Sequence, residues 1–176
     1  MTAASAFVAA LGFALTAAAC AQAPAPPAAD QASAPASVAA PYTPPADGTA
    51  TLVGPVTARR GADGQVSVEG RLLLPAGARV WVDVYAPGKT VDPIGRAELY
   101  LGPGGSFNAG PFKIAALSQL HVQFTSHFSR SWQPADVLAL VGANGLKLPQ
   151  SALRPANPQS PQSGGFLEAS VTVPIG

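Results

Sequence analysis

The sequence predicts an all-β domain, an antiparallel β-sandwich of about seven strands, preceded by a disordered tether. Three observations point there. From about Leu52 onward apolar residues alternate with polar ones at a period of two. Clusters of Gly, Pro and Asp fall between these runs. No cysteine follows Cys20, so the domain must hold together through a buried apolar interior rather than through disulfides.

Taken in order, the first strand is a weak one through Leu52 to Ala58. The turn Gly61-Ala62-Asp63-Gly64 then leads into Gln65 to Leu74, where Val66, Val68, Leu72 and Leu74 share one face and Gln65, Ser67, Glu69 and Arg71 the other. Pro75-Ala76-Gly77 turns the chain into Arg79 to Tyr85, with Val80, Val82 and Val84 facing the core. After Pro87-Gly88, Arg96 to Leu101 places Ala97, Leu99 and Leu101 inward. Gly102-Pro103-Gly104-Gly105 precedes Ser106 to Phe112, which Gly110-Pro111 should bulge. Leu120 to Phe128 turns Leu120, Val122, Phe124 and Phe128 inward, and Leu167 to Val173 does the same with Leu167, Ala169, Val171 and Val173. Pro134 to Val141 fits either a two-turn helix or a further strand, and the Pro-rich stretch from Pro149 to Gly165 reads as a long surface loop.

The chain ahead of this domain has a different composition. Met1 to Ala19 carries no charged side chain, and Phe7, Val8, Leu11, Phe13 and Leu15 form a hydrophobic stretch too short for a membrane span, so 1–19 reads as a removable signal. Ala21 to Asp47 consists almost wholly of Ala, Pro, Ser and Gln, which cannot build a core. Residues 20–47 therefore read as a tether, able to reach roughly 80 Å if fully polyproline-like at about 3.1 Å per residue. The domain is expected over 48–176.

Charge excludes several functions. All ten Lys and Arg and seven of the nine acidic residues lie in 48–176, an excess of about three positive charges scattered as single residues. Only Arg59 and Arg60 are adjacent, so neither a nucleic-acid stripe nor a polybasic lipid patch is present. No Gly-x-Ser-x-Gly elbow exists, and Gly102 to Gly105 leads into a strand rather than a helix that would cradle phosphate. His121 and His127 share a strand face but lie roughly 20 Å apart at about 3.3 Å per residue, too far to ligate one metal ion. Asp83 and Glu98, outward on neighbouring strands, have the residue type of an acid–base pair; Arg79 and Arg96 on the same faces favour cross-strand ion pairing instead. No catalytic residue, metal or cofactor is expected.

Other residues on those faces suit binding. Trp81 and Tyr85 on the third strand, Tyr100 on the fourth, and His121, Gln123 and His127 on the sixth point outward; if these strands lie in one sheet, they make an aromatic and polar platform fit for stacking on sugar rings or packing on a protein. The competing expectation is that neighbouring side chains or the long loop cover Trp81 and Tyr85. Trp132 is a further candidate for an exposed aromatic, although a plug at one end of the sandwich is the favoured expectation.

Leu15-Thr16-Ala17-Ala18-Ala19-Cys20 resembles the lipobox of bacterial lipoproteins, which implies that the Cys20 thiol receives a diacylglycerol and becomes the first mature residue. An ordinary secretory signal cleaved near Ala19 or Ala21 is the alternative. Two or three acyl chains, at about 0.8 kcal/mol per buried CH2, make a stable membrane anchor. Ala21 and Gln22 lack the Asp that favours inner-membrane retention in such lipoproteins, implying an outer-membrane position facing the periplasm. The run Val68 to Val82, with its Leu74-Pro75-Ala76-Gly77 corner, and the later Gly104-Gly105-Ser106-Phe107 resemble bacterial envelope domains of the immunoglobulin-like or transthyretin-like type. They also resemble the small sandwich lipoproteins that act as pilotins in secretion. The resemblance implies a lipid-anchored, non-enzymatic envelope protein with a protein or cell-wall glycan partner; a pilotin-like assembly role and a carbohydrate-active enzyme are the alternatives.

Overall fold

In the computed structural model, which describes residues 41–159 and 164–176, two antiparallel sheets form a sandwich. β1 (Val53–Arg60), β2 (Val66–Leu72) and β5 (Ser106–Phe112) make a three-stranded sheet in the order β1-β2-β5. β3 (Arg79–Tyr85), β4 (Gly95–Tyr100), β6 (Gln119–His127), β7 (Arg154–Pro155) and β8 (Gly165–Pro174) make a five-stranded sheet in the order β4-β3-β6-β8-β7. Seven of these strands are the expected ones. The eighth, the two-residue β7, lies within the stretch expected to be loop.

Alternation creates the core. Val66, Val68 and Leu72 of β2 face Val80, Val82 and Val84 of β3 and Leu120, Val122 and Phe124 of β6, all with no exposed surface. The rings of Phe107 and Phe124 meet edge to face across the interior, with centroids 5.3 Å apart. Each such side chain contributes about 1.5–3 kcal/mol by leaving water. The corner Leu73 to Ala78 carries the chain from the three-stranded sheet to the five-stranded one, with Leu74, Pro75 and Ala78 buried. The return passes through Gly105, where φ is +76° and a Cβ would lie 1.9 Å from the Leu72 carbonyl oxygen. Only glycine fits there.

Local deviations follow the sequence as well. In the β2–β5 ladder Val66 opposes Phe112 and Val68 opposes Ala109, so β5 carries one extra residue at the Gly110–Pro111 step, where the bulge was expected. The ambiguous segment is a helix, α1 (Ala135–Val141), with Pro134 ahead of it and Gly142 at φ +79° behind it. It buries Val137 and Val141, four residues apart on one face. No helix among the described residues is long and apolar enough to cross a membrane.

Two features depart from the expected division. The tether was expected to run to Asp47, but Tyr42 packs against the core and its hydroxyl donates to the Leu73 carbonyl at 3.2 Å. Farther along, Ile175 leaves the five-stranded sheet to bridge Ala58 of β1 in parallel. The Gly176 N–H donates to Ala58 O and the Arg60 N–H to Gly176 O, which ties the two sheets at one edge.

Candidate functional site

The outer face of the five-stranded sheet carries most of the residues singled out from the sequence. Register aligns them in rows across the strands. Trp81 of β3 lies opposite Glu98 of β4 and Thr125 of β6, and Thr125 opposite Glu168 of β8. The next row runs Arg96, Asp83, Gln123, Ser170, and beyond it Tyr85 faces His121, which faces Thr172. At the other end His127 opposes Phe166, and Phe166 opposes Arg154.

Charges on this face neutralise one another. Arg96 grips Asp83 with Nε on Oδ1 and Nη2 on Oδ2, the latter at 3.0 Å, and Asp83 is buried. That carboxylate holds the Arg96 guanidinium above its ordinary value, by hydrogen bonding first and by charge second. Glu98 accepts Trp81 Nε1 at 2.8 Å and Arg79 Nε at 2.7 Å, and these two bonds hold its carboxyl below the ordinary carboxylate range. Arg154 and Glu168 pair at 3.2 Å. The ion pairing expected for Asp83 and Glu98 is thus what the strands position.

An aromatic cluster occupies one end. Trp132, on the turn after β6, meets Trp81 edge to face at 5.7 Å and His127 at 5.5 Å, and His127 stacks on Phe166 at 5.0 Å. Arg79 lies over the Trp132 ring at 5.2 Å and Arg96 over the Trp81 ring at 5.7 Å. Such contacts fix ring orientation and contribute about 0.5–1.5 kcal/mol per pair. All four rings are half-buried. Along the same face Thr90, His121, Gln123, Arg154, Glu168 and Ser170 line a polar depression of about 420 Å³, which extends from His121 to the Arg154–Glu168 pair. Its walls offer both hydrogen-bond donors and acceptors.

The structure sorts the expected site residues. His121, Gln123 and His127 lie along one side of β6, half-buried. The two histidines sit at opposite ends, each against its own aromatic neighbour: Tyr85 at 6.1 Å for His121, and Phe166 for His127. Tyr100 is 60% exposed at the sheet edge. Trp81 is half-covered, and Tyr85, expected as an open ring, is only 5% exposed. Burial, with the nearby Asp83 charge, pushes the Tyr85 phenol up. The three rings are therefore not exposed together. Trp132 is corrected too: it belongs to the wet face, and its neighbour Gln133 takes the buried position at the sandwich end. Cys20 lies outside the described residues.

Phe166, Arg154 and Glu168 were not among the expected site residues. Extending the alternation of the last strand back by one residue would have put Phe166 on the same side as Glu168 and Ser170; Arg154, in a two-residue strand, gives no such signal. No three His, Cys, Asp or Glu side chains among the described residues are grouped to hold a metal ion. No family model, no curated protein and no solved structure matches the chain, so the reading rests on its own side chains.

Proposed function

We propose that this chain is a lipid-anchored, non-enzymatic protein of the cell envelope, held to the membrane through Cys20. Its sandwich binds a protein or glycan partner through the outer face of the five-stranded sheet. The observation that carries the binding reading is the cluster Trp81–Trp132–His127–Phe166, four rings kept half-open to water beside a polar depression rather than drawn into the core. Half-exposed rings, two of them fixed by cations, with hydrogen-bonding groups nearby suit stacking on a sugar or packing on a protein surface. The non-enzymatic reading is supported by Asp83 and Glu98, whose oxygens are engaged by guanidinium groups and, at Glu98 Oε2, by the Trp81 indole rather than turned to a substrate.

The anchor is tested by Cys20→Ser, which should move the protein from the membrane to the soluble fraction; retention in the membrane would refute acylation at that residue. Binding is tested by Trp81→Ala and Trp132→Ala in the full chain, with folding checked by circular dichroism. Loss of co-sedimentation with purified cell wall identifies a glycan partner, and loss of a crosslink to one defined envelope protein identifies an assembly role. Unchanged retention in both assays would remove the aromatic cluster from the binding surface.

A further inference from the structure

Of the four sheet edges among the described residues, three carry a feature that hinders further pairing. At β1 the end from Ala58 to Arg60 is taken by Ile175 and Gly176. β5 carries a bulge and Pro111, and β7 is two residues long and includes Pro155. These are recognised ways of blocking strand addition. β4 has none of them: Gly95-Arg96-Ala97-Glu98-Leu99-Tyr100 contains no proline and no lysine, and its ladder with β3 runs without a register shift. Among the described residues no strand pairs with its other side. Three of the exposed large apolar side chains lie on it or in the loop just before it, Val91 at 68%, Ile94 at 41% and Tyr100 at 60%.

The hydrogen-bonding phase of that edge is fixed. Leu101 donates to Ala78 of the β3 side at 2.9 Å, so in the alternation of an antiparallel pair the odd-numbered residues of β4 turn their backbone groups to β3. Arg96, Glu98 and Tyr100 turn theirs to the open side.

We infer that β4 is a self-association edge, pairing antiparallel with β4 of a second copy about a two-fold axis at Ala97. In that register Arg96 lies opposite Glu98 of the second copy and Ile94 opposite Tyr100 of the second copy, and both relations repeat by symmetry. Arg96 and Glu98 turn their backbone groups outward, so the central rungs close with their hydrogen bonds in phase; the Ile94 N–H is already given to the Val84 carbonyl at 2.8 Å, which ends the ladder there. Charge selects the register. A two-fold at Arg96 or at Glu98 would set like charges directly opposite each other, which is unfavourable. Two sheets of five strands thereby become one of ten, with the aromatic clusters of both copies on a single continuous face. This pairing stands on β4 alone and does not depend on what the outer face binds.

Disulfide trapping tests it. In the full chain carrying Cys20→Ser, Ala97→Cys would oppose itself in a non-hydrogen-bonded pair, with Cα atoms about 4.5 Å apart, inside the range that a disulfide closes. Mild oxidation should give a covalent dimer from Ala97→Cys, at a yield about tenfold above that from Leu146→Cys, an exposed position remote from β4. Equal yields, or none from either, would overturn the proposal. Sedimentation of the Cys20→Ser chain over a concentration series gives a second reading that does not require the Ala97 variant to fold. A monomer–dimer equilibrium should appear, and Tyr100→Lys should weaken it about tenfold. A monomer throughout, or a dimer indifferent to Tyr100→Lys, would equally reject β4 pairing.

Discussion

Gln133 pairs with the backbone of Arg79 as a neighbouring strand would. Its Oε1 accepts the Arg79 N–H at 2.9 Å and its Nε2 donates to the Arg79 carbonyl at 2.9 Å. β6 ends its ladder with β3 at Thr125, so the side-chain amide supplies the rung that the backbone no longer provides. Ser126, inward-facing with no exposed surface, completes the node: its Oγ donates to Arg79 O and accepts Gln133 Nε2 at 3.0 Å. Gln133→Leu keeps the volume but orphans the Arg79 N–H in a buried place, and should destabilise the domain by about 2–3 kcal/mol. Ser126→Ala should cost less, about 1 kcal/mol, because Gln133 still serves the Arg79 carbonyl. Urea unfolding midpoints measure both; equal losses would mean that the amide does not act as a rung.

Tyr42 extends the folded unit into the Pro-rich region. Burial raises its phenol from 10.0 to about 12, and its hydroxyl proton is held for the Leu73 carbonyl. A folded value above the unfolded one means that the associated stability is fully present below pH 10.0 and is lost as pH rises toward 12. Tyr42→Phe, which removes the bond to the Leu73 carbonyl, should lower stability by about 0.5–1.5 kcal/mol at neutral pH, and the native chain's advantage should shrink as pH rises above 10.0 and reverse as the buried phenol ionises. Ultraviolet titration of the three tyrosines should lose one late-ionising phenol in the same variant, leaving that of Tyr85. A titration unchanged by Tyr42→Phe would show that this residue is not packed as described.

How much of this was legible depends on which forces are local. Val80, Val82 and Val84 declared the inner face of β3 because one buried side forces a period of two, and the same rule fixed six further strands. Alternation gives the side a residue faces, not what lies over it. Tyr85 has the parity of a wet residue, yet it is buried beside His121, in a region where Thr90 of the following loop also approaches that histidine. Division into sheets of three and five strands depends on pairing between residues far apart in sequence, which no local pattern specifies. Trp132 was misplaced for a related reason, since a large aromatic before a proline reads equally as a plug or a surface ring until the turn carrying it is positioned. Ser126 shares the parity of Phe124, but a hydroxyl facing the core makes sense only once Gln133 and the Arg79 carbonyl are seen to meet it.

Glu98 links the charge rows to the aromatic cluster, and its titration should report on both. The Trp81 indole first and the Arg79 guanidinium second lower its carboxyl from 4.5. Because the folded value is depressed, the carboxylate contributes stability above pH 4.5 and loses that contribution as pH falls through the folded value. Glu98→Gln should thus be less stable than the native chain at neutral pH, with the gap narrowing below pH 4.5. Denaturation midpoints across pH 7 to 3 test the sign; a constant gap would assign the loss to shape rather than to charge.

Trp81 and Trp132 contact each other directly, edge to face at 5.7 Å, while each has a separate cation above it. Truncating either ring removes the shared contact together with its own cover, so the two losses must overlap. Trp81→Ala additionally frees Glu98 Oε2 from its indole donor, whereas Trp132→Ala uncovers Arg79 and one side of His127. The double variant should therefore be less destabilised than the sum of the single variants, by a coupling of about 0.5–1.5 kcal/mol. A Trp132 ring plugging the far end of the interior would share no partner with Trp81, and its effect would add without coupling. Additive losses in the cycle would accordingly return Trp132 to the core and take away the ring that holds the outer-face cluster together.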